Sequence, residues 1–386
     1  MKVHCPSCAI DFSLESLTSG SQVICPNCMQ VVQPVQFDLY SKAAESSRAE
    51  ADLVSRMSHR ISEAAGVQRL EGFSVRETFS EVFTRHPDEE VERYFLAGGP
   101  DTTPALENID TGWPKPWMFF RMFLLALAAY LVFVEAWEQF DNLNLLPGLI
   151  IVGSFAVPFA TLVLFFEFNA RRNVSLFQVG RMVMLGGVAS IVFSLLMYQI
   201  ADVFHMQWLG ASVAGLAEEP GKLLVLGYVV NKKKYGYILN GLLFGAAVGA
   251  GFAAFESAGY ALRVALNEGT DVMRDVIFAR GLMSPFAHIV WTGMSAAALW
   301  RVKGASPLRF EMLKDKRFTR VFGAAILLHM LWDSPLQLPL KGTFIILGVI
   351  AWVIVLGLVQ EGLEELRTRK AASLANPAAD AISMAG

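Results

Sequence analysis

Hydrophobic residues are distributed unevenly along the 386-residue chain and dominate it from residue 117 onward. Eight apolar segments follow one another, each close to the ~20 residues that an α-helix needs to cross a bilayer. They cover residues 117–134, 147–166, 181–201, 208–230, 236–262, 281–300, 320–338 and 342–360. The pattern predicts an all-α polytopic membrane protein with about eight transmembrane helices, preceded by a mostly polar N-terminal region.

Positive charges between the apolar segments predict how the helices are oriented. Lys and Arg cluster in alternate loops, such as Lys232–Lys234 and the loop 301–320, and the C-terminal tail is also basic. The intervening loops carry fewer of these residues, namely Arg263, Arg274, Arg280 and Lys341. Because basic loops tend to stay in the cytoplasm, both termini are expected on that side.

Composition divides the chain into four parts. We expect a cysteine-containing ribbon over 1–35, a polar and partly helical cytoplasmic linker over 36–112, a membrane domain over 113–363, and a cytoplasmic tail over 364–386. Hydrophobic residues make up 54% of the chain, and its formal net charge is −3. Without a general positive field, the protein is not expected to bind nucleic acid.

All four cysteines lie in the first 28 residues, in the motifs CPSC and CPNC. Two CxxC knuckles at this spacing predict a small zinc ribbon with one structural Zn²⁺, bound by Cys5, Cys8, Cys25 and Cys28. Two disulfides, typical of a secreted protein, are the alternative. No signal peptide precedes the first knuckle, and the predicted location is reducing, so zinc is favoured. Because four thiolates fill its ligand positions, the zinc is structural and not catalytic. The ribbon is expected to bind a cytoplasmic protein partner.

Several ionisable side chains lie inside the apolar segments. An ionised Glu or Lys at bilayer depth costs about 2.5–3.5 kcal/mol on insertion scales, so such residues usually serve a function. They are Glu218, Glu219, Lys222, Glu256, His288, His329 and Asp333. In the predicted topology they lie at similar depths, in the half of the membrane away from the cytoplasm. Their common depth predicts a single site.

Residue spacing within the segments supports this prediction. Glu218 and Lys222 are four residues apart with the acid first, which favours an ion pair on a helix. His329 and Asp333 are also four apart, so the carboxylate can orient the imidazole. Glycines repeat every four residues over 241–249, a stripe that we interpret as close helix packing.

Two kinds of chemistry suit carboxylates grouped with histidines. A glutamate can activate water as a general base while a histidine stabilises the oxyanion and donates a proton. Alternatively, Glu256, His288 and His329 can bind a catalytic Zn²⁺ that activates the water. The membrane region contains no cysteine, and the motifs HExxH, GxSxG and GxGD are absent. Glutamate and metal mechanisms both stay open.

Taken together, EExxK over 218–222, FxxxE over 252–256 and two later histidines resemble the PrsW family of bacterial intramembrane proteases. That family is distantly related to the CAAX-processing glutamate proteases. The resemblance extends over roughly 113–362, and the N-terminal ribbon departs from it. It implies an endopeptidase of the bacterial inner membrane, within the lipid bilayer, that cleaves a membrane-anchored protein such as an anti-sigma factor.

The resemblance also implies roles for individual residues. Glu218 or Glu219 would be the general base, while His288 and His329 would polarise the carbonyl or bind zinc with Glu256. Two alternative functions are a non-catalytic scaffold or receptor of the same superfamily and a proton-coupled transporter. A transporter predicts an inverted repeat, which the sequence lacks. A scaffold predicts the loss of one acid of the pair, and both are present.

Overall fold

The computed structural model describes residues 56–87, 101–229, 235–336 and 338–375, the single residues 90, 96, 98 and 99, and short stretches between residues 2 and 32. The chain divides into two compact units, Met1–Arg60 and Ile61–Gly386. The described part of the first unit contains short strands, whereas the second unit is built from helices.

Two antiparallel β-hairpins form the strands of the first unit. Strand β1 (Lys2–His4) pairs with β2 (Asp11–Ser13), and β3 (Val23–Ile24) pairs with β4 (Val31–Val32). Each CxxC motif lies between the two strands of one hairpin. Each hairpin therefore presents one of the two predicted knuckles at its turn.

Helices account for most of the described residues after 117. They are α1 (Met118–Phe140), α2 (Leu146–Phe168), α3 (Leu176–Val203, with a π-helical turn at Met182–Gly186), α4 (Val213–Val229), α5 (Ile238–Asn267), α6 (Thr270–Met283), α7 (His288–Lys303), α8 (Lys316–Trp332) and α9 (Gly342–Ala375). Shorter helical pieces lie at 56–65, Val75–Thr78, Leu106–Asn108, Leu143–Leu145, Met206–Ser212, Ser284–Phe286, Phe310–Lys314 and Pro339–Lys341. Every predicted apolar segment overlaps one of the long helices. Helix α6 occupies most of a stretch that the sequence predicts as a loop.

Six helical stretches in the described part of the chain are long and apolar enough to cross a membrane. Helices α6 and α7 count as one of them, joined by the turn at Ser284–Phe286. The two remaining predicted spans, α4 and α8, have 17 residues each, at the short end of the bilayer-spanning range. They also carry most of the ionisable residues. The predicted all-α polytopic fold is confirmed, and the chain is an integral membrane protein.

Helix α5 lies at the centre of the bundle, and its residues 238–254 are all buried. A Cβ atom at Gly245 would lie 2.4 Å from a backbone carbonyl oxygen of α7, and one at Gly249 would lie 2.5 Å from that of His288. No side chain fits in this space, so the two backbones are in direct contact. The interpretation of the glycine stripe as packing is confirmed, and this contact brings His288 close to Glu256.

Three buried asparagines tie the start of α5 to the segment after α2. Asn240 Nδ2 donates hydrogen bonds to Asn173 Oδ1 at 2.6 Å and to Asn169 Oδ1 at 3.1 Å. Asn173 Nδ2 donates in return to Asn240 Oδ1 at 3.1 Å. Satisfied amides in a low-dielectric interior form rigid networks. The network therefore fixes the beginning of the helix that carries Glu256.

Residues 66–71 pack against the C-terminal end of α7 and the middle of α9. The backbone N–H of Gln68 donates to Glu361 Oε1 at 2.8 Å, and Arg301 Nη1 donates to Glu361 Oε2 at 2.9 Å. The same guanidinium nitrogen donates to the Gly66 carbonyl oxygen at 2.9 Å. This part of the predicted linker is therefore anchored to α7, the helix that begins with His288.

A carboxylate from α2 caps the first membrane helix. Glu167 is buried and accepts hydrogen bonds from the backbone N–H groups of Trp117 at 2.7 Å and of Met118 and Phe119 at 2.9 Å each. Trp117, at the N-cap position of α1, supplies no side-chain cap. Because the first N–H groups of a helix carry a partial positive charge, a carboxylate is favourable there. Glu167 therefore holds the start of α1 against α2.

Glu167→Gln is expected to lower the free energy of unfolding by about 1–3 kcal/mol, since charge-assisted hydrogen bonds are lost and an amide donor faces backbone donors. The thermal unfolding midpoint of the purified protein measures the effect. Glu311→Gln is the matched control, because Glu311 is an exposed acid in the first turn of a short helix, and its midpoint should not change. A Glu167→Gln midpoint equal to that of the wild type would contradict the cap.

Candidate active site

A cavity of about 400 Å³ opens between α4, α5, α7 and α8. The predicted site residues that line it are Glu218, Glu256, His288, His329 and Asp333. Glu219 and Lys222 are buried on α4 beside Glu218. The structure therefore brings all seven residues of the predicted site into one cluster.

Lys222 lies at the centre of this cluster and is fully buried. Its Nζ lies 2.8 Å from Glu219 Oε1 and 3.2 Å from Glu218 Oε2, so the predicted Glu218–Lys222 pair is formed with a second acid added. The same ammonium donates to His288 Nδ1 at 2.9 Å. Burying an ammonium group is costly unless it is paired. Lys222 therefore binds both acids of α4 and the first residue of α7.

His288 lies between α4 and α5. Because an ammonium group can only donate, Nδ1 of His288 accepts from Lys222, and the ring proton resides on Nε2. Nε2 lies 3.1 Å from Glu256 Oε2, which completes the second hydrogen bond. The neighbouring rings of Phe252 and Trp291 have centroids 5.0 and 5.3 Å from the imidazole. Both nitrogens of this histidine are thus occupied in a neutral ring.

His329 is buried between two carboxylates. Its Nδ1 lies 3.0 Å from Glu219 Oε1, and its Nε2 lies 3.2 Å from Asp333 Oδ2. The predicted four-residue pair with Asp333 is therefore formed. The ring stacks on Trp291 with a centroid distance of 4.4 Å. An imidazolium at this position would donate a hydrogen bond to each of the two acids.

Helix α8, which carries His329, begins at a capped residue. Asp315 accepts a hydrogen bond from the backbone N–H of Arg317 at 2.8 Å and another from its guanidinium Nη2 at 2.8 Å. The side-chain hydrogen bonds from Arg317, followed by the backbone one, lower the pKa of Asp315 to about 2. The carboxylate therefore stays charged at a helix start, where negative charge is favourable.

The two adjacent glutamates have different environments. Glu218 is 5% exposed, lines the cavity, and accepts a hydrogen bond from the Tyr198 hydroxyl at 3.0 Å. Glu219 is 1% exposed, and its Oε2 has no hydrogen-bond partner in the described part of the chain. Glu218 is therefore the acid that water in the cavity can reach, whereas Glu219 positions Lys222 and His329.

Three potential ligand atoms converge on the cavity. Glu218 Oε2 lies 3.8 Å from His288 Nδ1 and 3.8 Å from His329 Nε2, and the three atoms are within 4.8 Å of one another. This spacing is close enough to hold a metal ion. The sequence prediction placed Glu256 with the two histidines. The structure places Glu218 there instead, because Glu256 contacts the opposite ring nitrogen of His288.

The position of Lys222 affects whether these three atoms can bind a metal ion. The ammonium already donates to two of the three ligand atoms, His288 Nδ1 and Glu218 Oε2. A zinc ion bonded to both, at about 2.0–2.2 Å from each, would lie next to this ammonium. Two positive charges at such a separation repel strongly in a low-dielectric interior. A metal ion bound by these atoms would therefore displace Lys222 from both hydrogen bonds, and the cluster in this structure is centred on the ammonium group.

Two further residues of the site were missed by the sequence analysis. Arg280 of α6 lines the cavity and donates hydrogen bonds to Glu256 and to Ser257 Oγ, the latter at 2.9 Å. Tyr198 of α3 donates to Glu218. Tyr198 was missed because only charged residues and histidines inside the apolar segments were considered as candidates. Arg280 was missed because the sequence places it in the loop before the sixth segment. Its position directly at the edge of that segment could have identified it as a site residue.

The N-terminal cysteines form a second cluster. Cys8 Sγ lies 3.6 Å from Cys25 Sγ, and Cys28 joins them within 4.8 Å. The Cys8–Cys25 distance is too long for a disulfide, whose sulfur atoms are about 2.05 Å apart. Thiolates about 2.3 Å from a shared zinc ion are separated by more than 3 Å, which is compatible with this distance. These three cysteines could hold a metal ion, while the fourth predicted ligand, Cys5, lies outside the described residues.

Comparison with known families supports a protease. Residues 171–359 match the model described as "PrsW family intramembrane metalloprotease", and the match includes every predicted membrane-site residue. No match to the chain was found among curated proteins or among solved structures. The predicted resemblance is confirmed over these residues. A domain of this kind acts in the lipid bilayer on a membrane-embedded protein substrate.

Proposed function

We propose that the chain is an endopeptidase for membrane-anchored proteins, on the basis of the match of residues 171–359 to the PrsW family intramembrane metalloprotease model. The observation that carries the proposal is the convergence of Glu218, His288 and His329 on one cavity within the bundle. A carboxylate and two imidazoles can together activate water and stabilise an oxyanion. The substrate class is proteins like anti-sigma factors, cleaved on the side away from the cytoplasm of a bacterial inner membrane.

Glu218 acts as the general base. Tyr198 holds its Oε1, while its Oε2 lies 3.8 Å from each nearby imidazole nitrogen, so the carboxylate is oriented toward the histidines. As the water oxygen bonds to the carbonyl carbon, Glu218 takes one water proton. It returns this proton to the leaving nitrogen as the C–N bond breaks, so the products are a carboxylate terminus and an amine.

His329 stabilises the oxygen that becomes negative during attack. Glu219 holds its Nδ1, and its Nε2, which contacts Asp333 at 3.2 Å in the resting site, donates to the substrate oxygen in exchange for Asp333. His288 is positioned by Lys222 and Glu256, and it holds Glu218 in place through the shared ammonium. Donors fixed before the reaction lower the barrier because they need no reorganisation. Glu219, Lys222, Glu256 and Asp333 are positioning residues in this mechanism.

A metal-content measurement tests the glutamate mechanism. We expect one zinc ion per chain, held by Cys5, Cys8, Cys25 and Cys28, and the same content in His329→Ala. Cleavage of a single-span protein substrate in liposomes is expected to survive phenanthroline. The matched control for His329→Ala is His205→Ala, the same substitution at an exposed histidine. A second zinc ion that is lost in His329→Ala, together with cleavage that is lost with chelator and restored by zinc, would establish a metal mechanism instead.

The ribbon and linker have a separate role in this proposal. The ribbon over 1–35 holds structural zinc in the cytoplasm and binds a cytoplasmic protein, and the linker over 36–112 connects it to the protease domain over 113–363. Support for the zinc comes from the spacing of the thiols of Cys8, Cys25 and Cys28. Both termini, including the tail over 364–386, lie in the cytoplasm, as the loop charges favour.

A further inference from the structure

A second cavity lies between α3 and α5, next to the first. It has a volume of about 460 Å³. The residues that line both cavities are Tyr198, Glu218, Glu256 and Tyr260. Glu218 therefore lies in the wall of both cavities, the first one and this second one, which we name the α3–α5 groove.

The groove opens on a surface that faces lipid. Leu195, one of its lining residues, is 59% exposed, and Val192 of the same helix is 53% exposed. On a membrane-spanning helix, exposed apolar side chains of this kind contact acyl chains. A molecule could thus enter the groove sideways from the bilayer without crossing the polar headgroup layer.

Small residues and one buried hydroxyl shape the groove. Gly259 has no atom within 4 Å of the position that a Cβ would take. Ser194 is buried, and its Oγ has no hydrogen-bond partner in the described part of the chain. The rim is fixed by Tyr260, whose ring lies 4.7 Å from the guanidinium of Arg263 and 4.4 Å from that of Arg280. The groove thus combines free space at Gly259 with a polar residue, Ser194, in its wall.

These features match an unwound polypeptide segment. In a helix every backbone carbonyl is hydrogen-bonded along the chain, so a peptide bond must leave the helix before water can attack it. An unwound backbone in a bilayer needs polar partners, because each unsatisfied group costs several kcal/mol. Tyr198, Glu218 and Glu256 provide polar groups along the groove, and the missing side chain at Gly259 leaves room for a backbone.

We propose that the α3–α5 groove is the path by which a membrane-anchored substrate reaches Glu218 from the bilayer, with its segment extended between Ser194 and Gly259. The inference rests on the proposed function, since it assigns the substrate path of the same site. The presence of Glu218 and Glu256 in the walls of both cavities is the observation that selects a polypeptide substrate as the occupant over a lipid chain.

A large side chain at Gly259 tests this path. In liposomes, Gly259→Trp is expected to slow the cleavage of an anchored single-span protein at least about tenfold, because misplacing the substrate by about 1 Å can cost far more than this. A short soluble peptide with the same cleavage sequence reaches Glu218 through the first cavity. Its cleavage should change less than twofold. Gly259→Ala and Gly259→Leu are expected to give intermediate effects on the anchored substrate.

Gly180→Trp is the matched control, because Gly180 is also an exposed glycine of a membrane helix, with no atom within 4 Å of its Cβ position. It should cleave both substrates like the wild type, and unfolding midpoints should agree among the variants. Unchanged cleavage of the anchored protein by Gly259→Trp, or equal losses with both substrates, would overturn the path. A wild-type chain that cleaves neither substrate would overturn the proposed function itself.

Discussion

Glu218→Gln is expected to lower the cleavage rate about 10²–10⁴-fold, the usual contribution of a general base. Glutamine keeps the shape of the side chain and its hydrogen bond from Tyr198, but it cannot take a proton from water. The variant is expected to remain folded, since Lys222 still has Glu219 as a partner at 2.8 Å. Initial rates of substrate cleavage in liposomes measure the effect.

The matched control is Glu135→Gln, the same chemical change on membrane helix α1. Glu135 is exposed and accepts a hydrogen bond from Gln139 within its own helix. We expect wild-type rates for this control. Glu219→Gln separates the two neighbouring acids, because Glu219 acts only through Lys222 and His329. If Glu218→Gln stayed active while Glu219→Gln lost all activity, the assignment of the base would be wrong.

Lys222→Met is expected to destabilise the protein by about 3–5 kcal/mol, the usual cost of removing one partner from a buried ion pair. Methionine fills the space of the lysine stem but leaves Glu218 and Glu219 without their shared cation. His288 also loses the donor at its Nδ1. Cleavage should therefore be lost together with stability, as measured by the unfolding midpoint and the cleavage rate.

Two further variants test the cause of this loss. Lys303→Met changes another buried lysine, one that donates to a backbone carbonyl oxygen at 3.2 Å and has no carboxylate partner in the described part of the chain. Its effect on the midpoint should be clearly smaller. Adding Glu218→Gln and Glu219→Gln to Lys222→Met removes the uncompensated charges and should restore most of the stability without restoring activity. A triple variant as unstable as Lys222→Met would contradict the charge argument.

The sequence by itself determined the class of fold and most members of the site. Apolar segments of bilayer length can only be helices, because every backbone polar group in lipid needs a partner within the segment. Contacts four residues apart on one helix follow from helix geometry, which is why the pairs Glu218–Lys222 and His329–Asp333 could be predicted. The glycine stripe over 241–249 was readable for the same reason.

Only the tertiary structure decided which residues face one another across helices. Helix rotation and tilt, set by contacts such as Gly215 of α4 against the Ile326 carbonyl oxygen of α8, placed Glu218 toward the cavity and Glu219 away from it. The same packing brought Tyr198 to the base and Arg280 to Glu256. Periodicity along one helix does not specify its rotation against its neighbours, because that rotation depends on side chains from several segments at once.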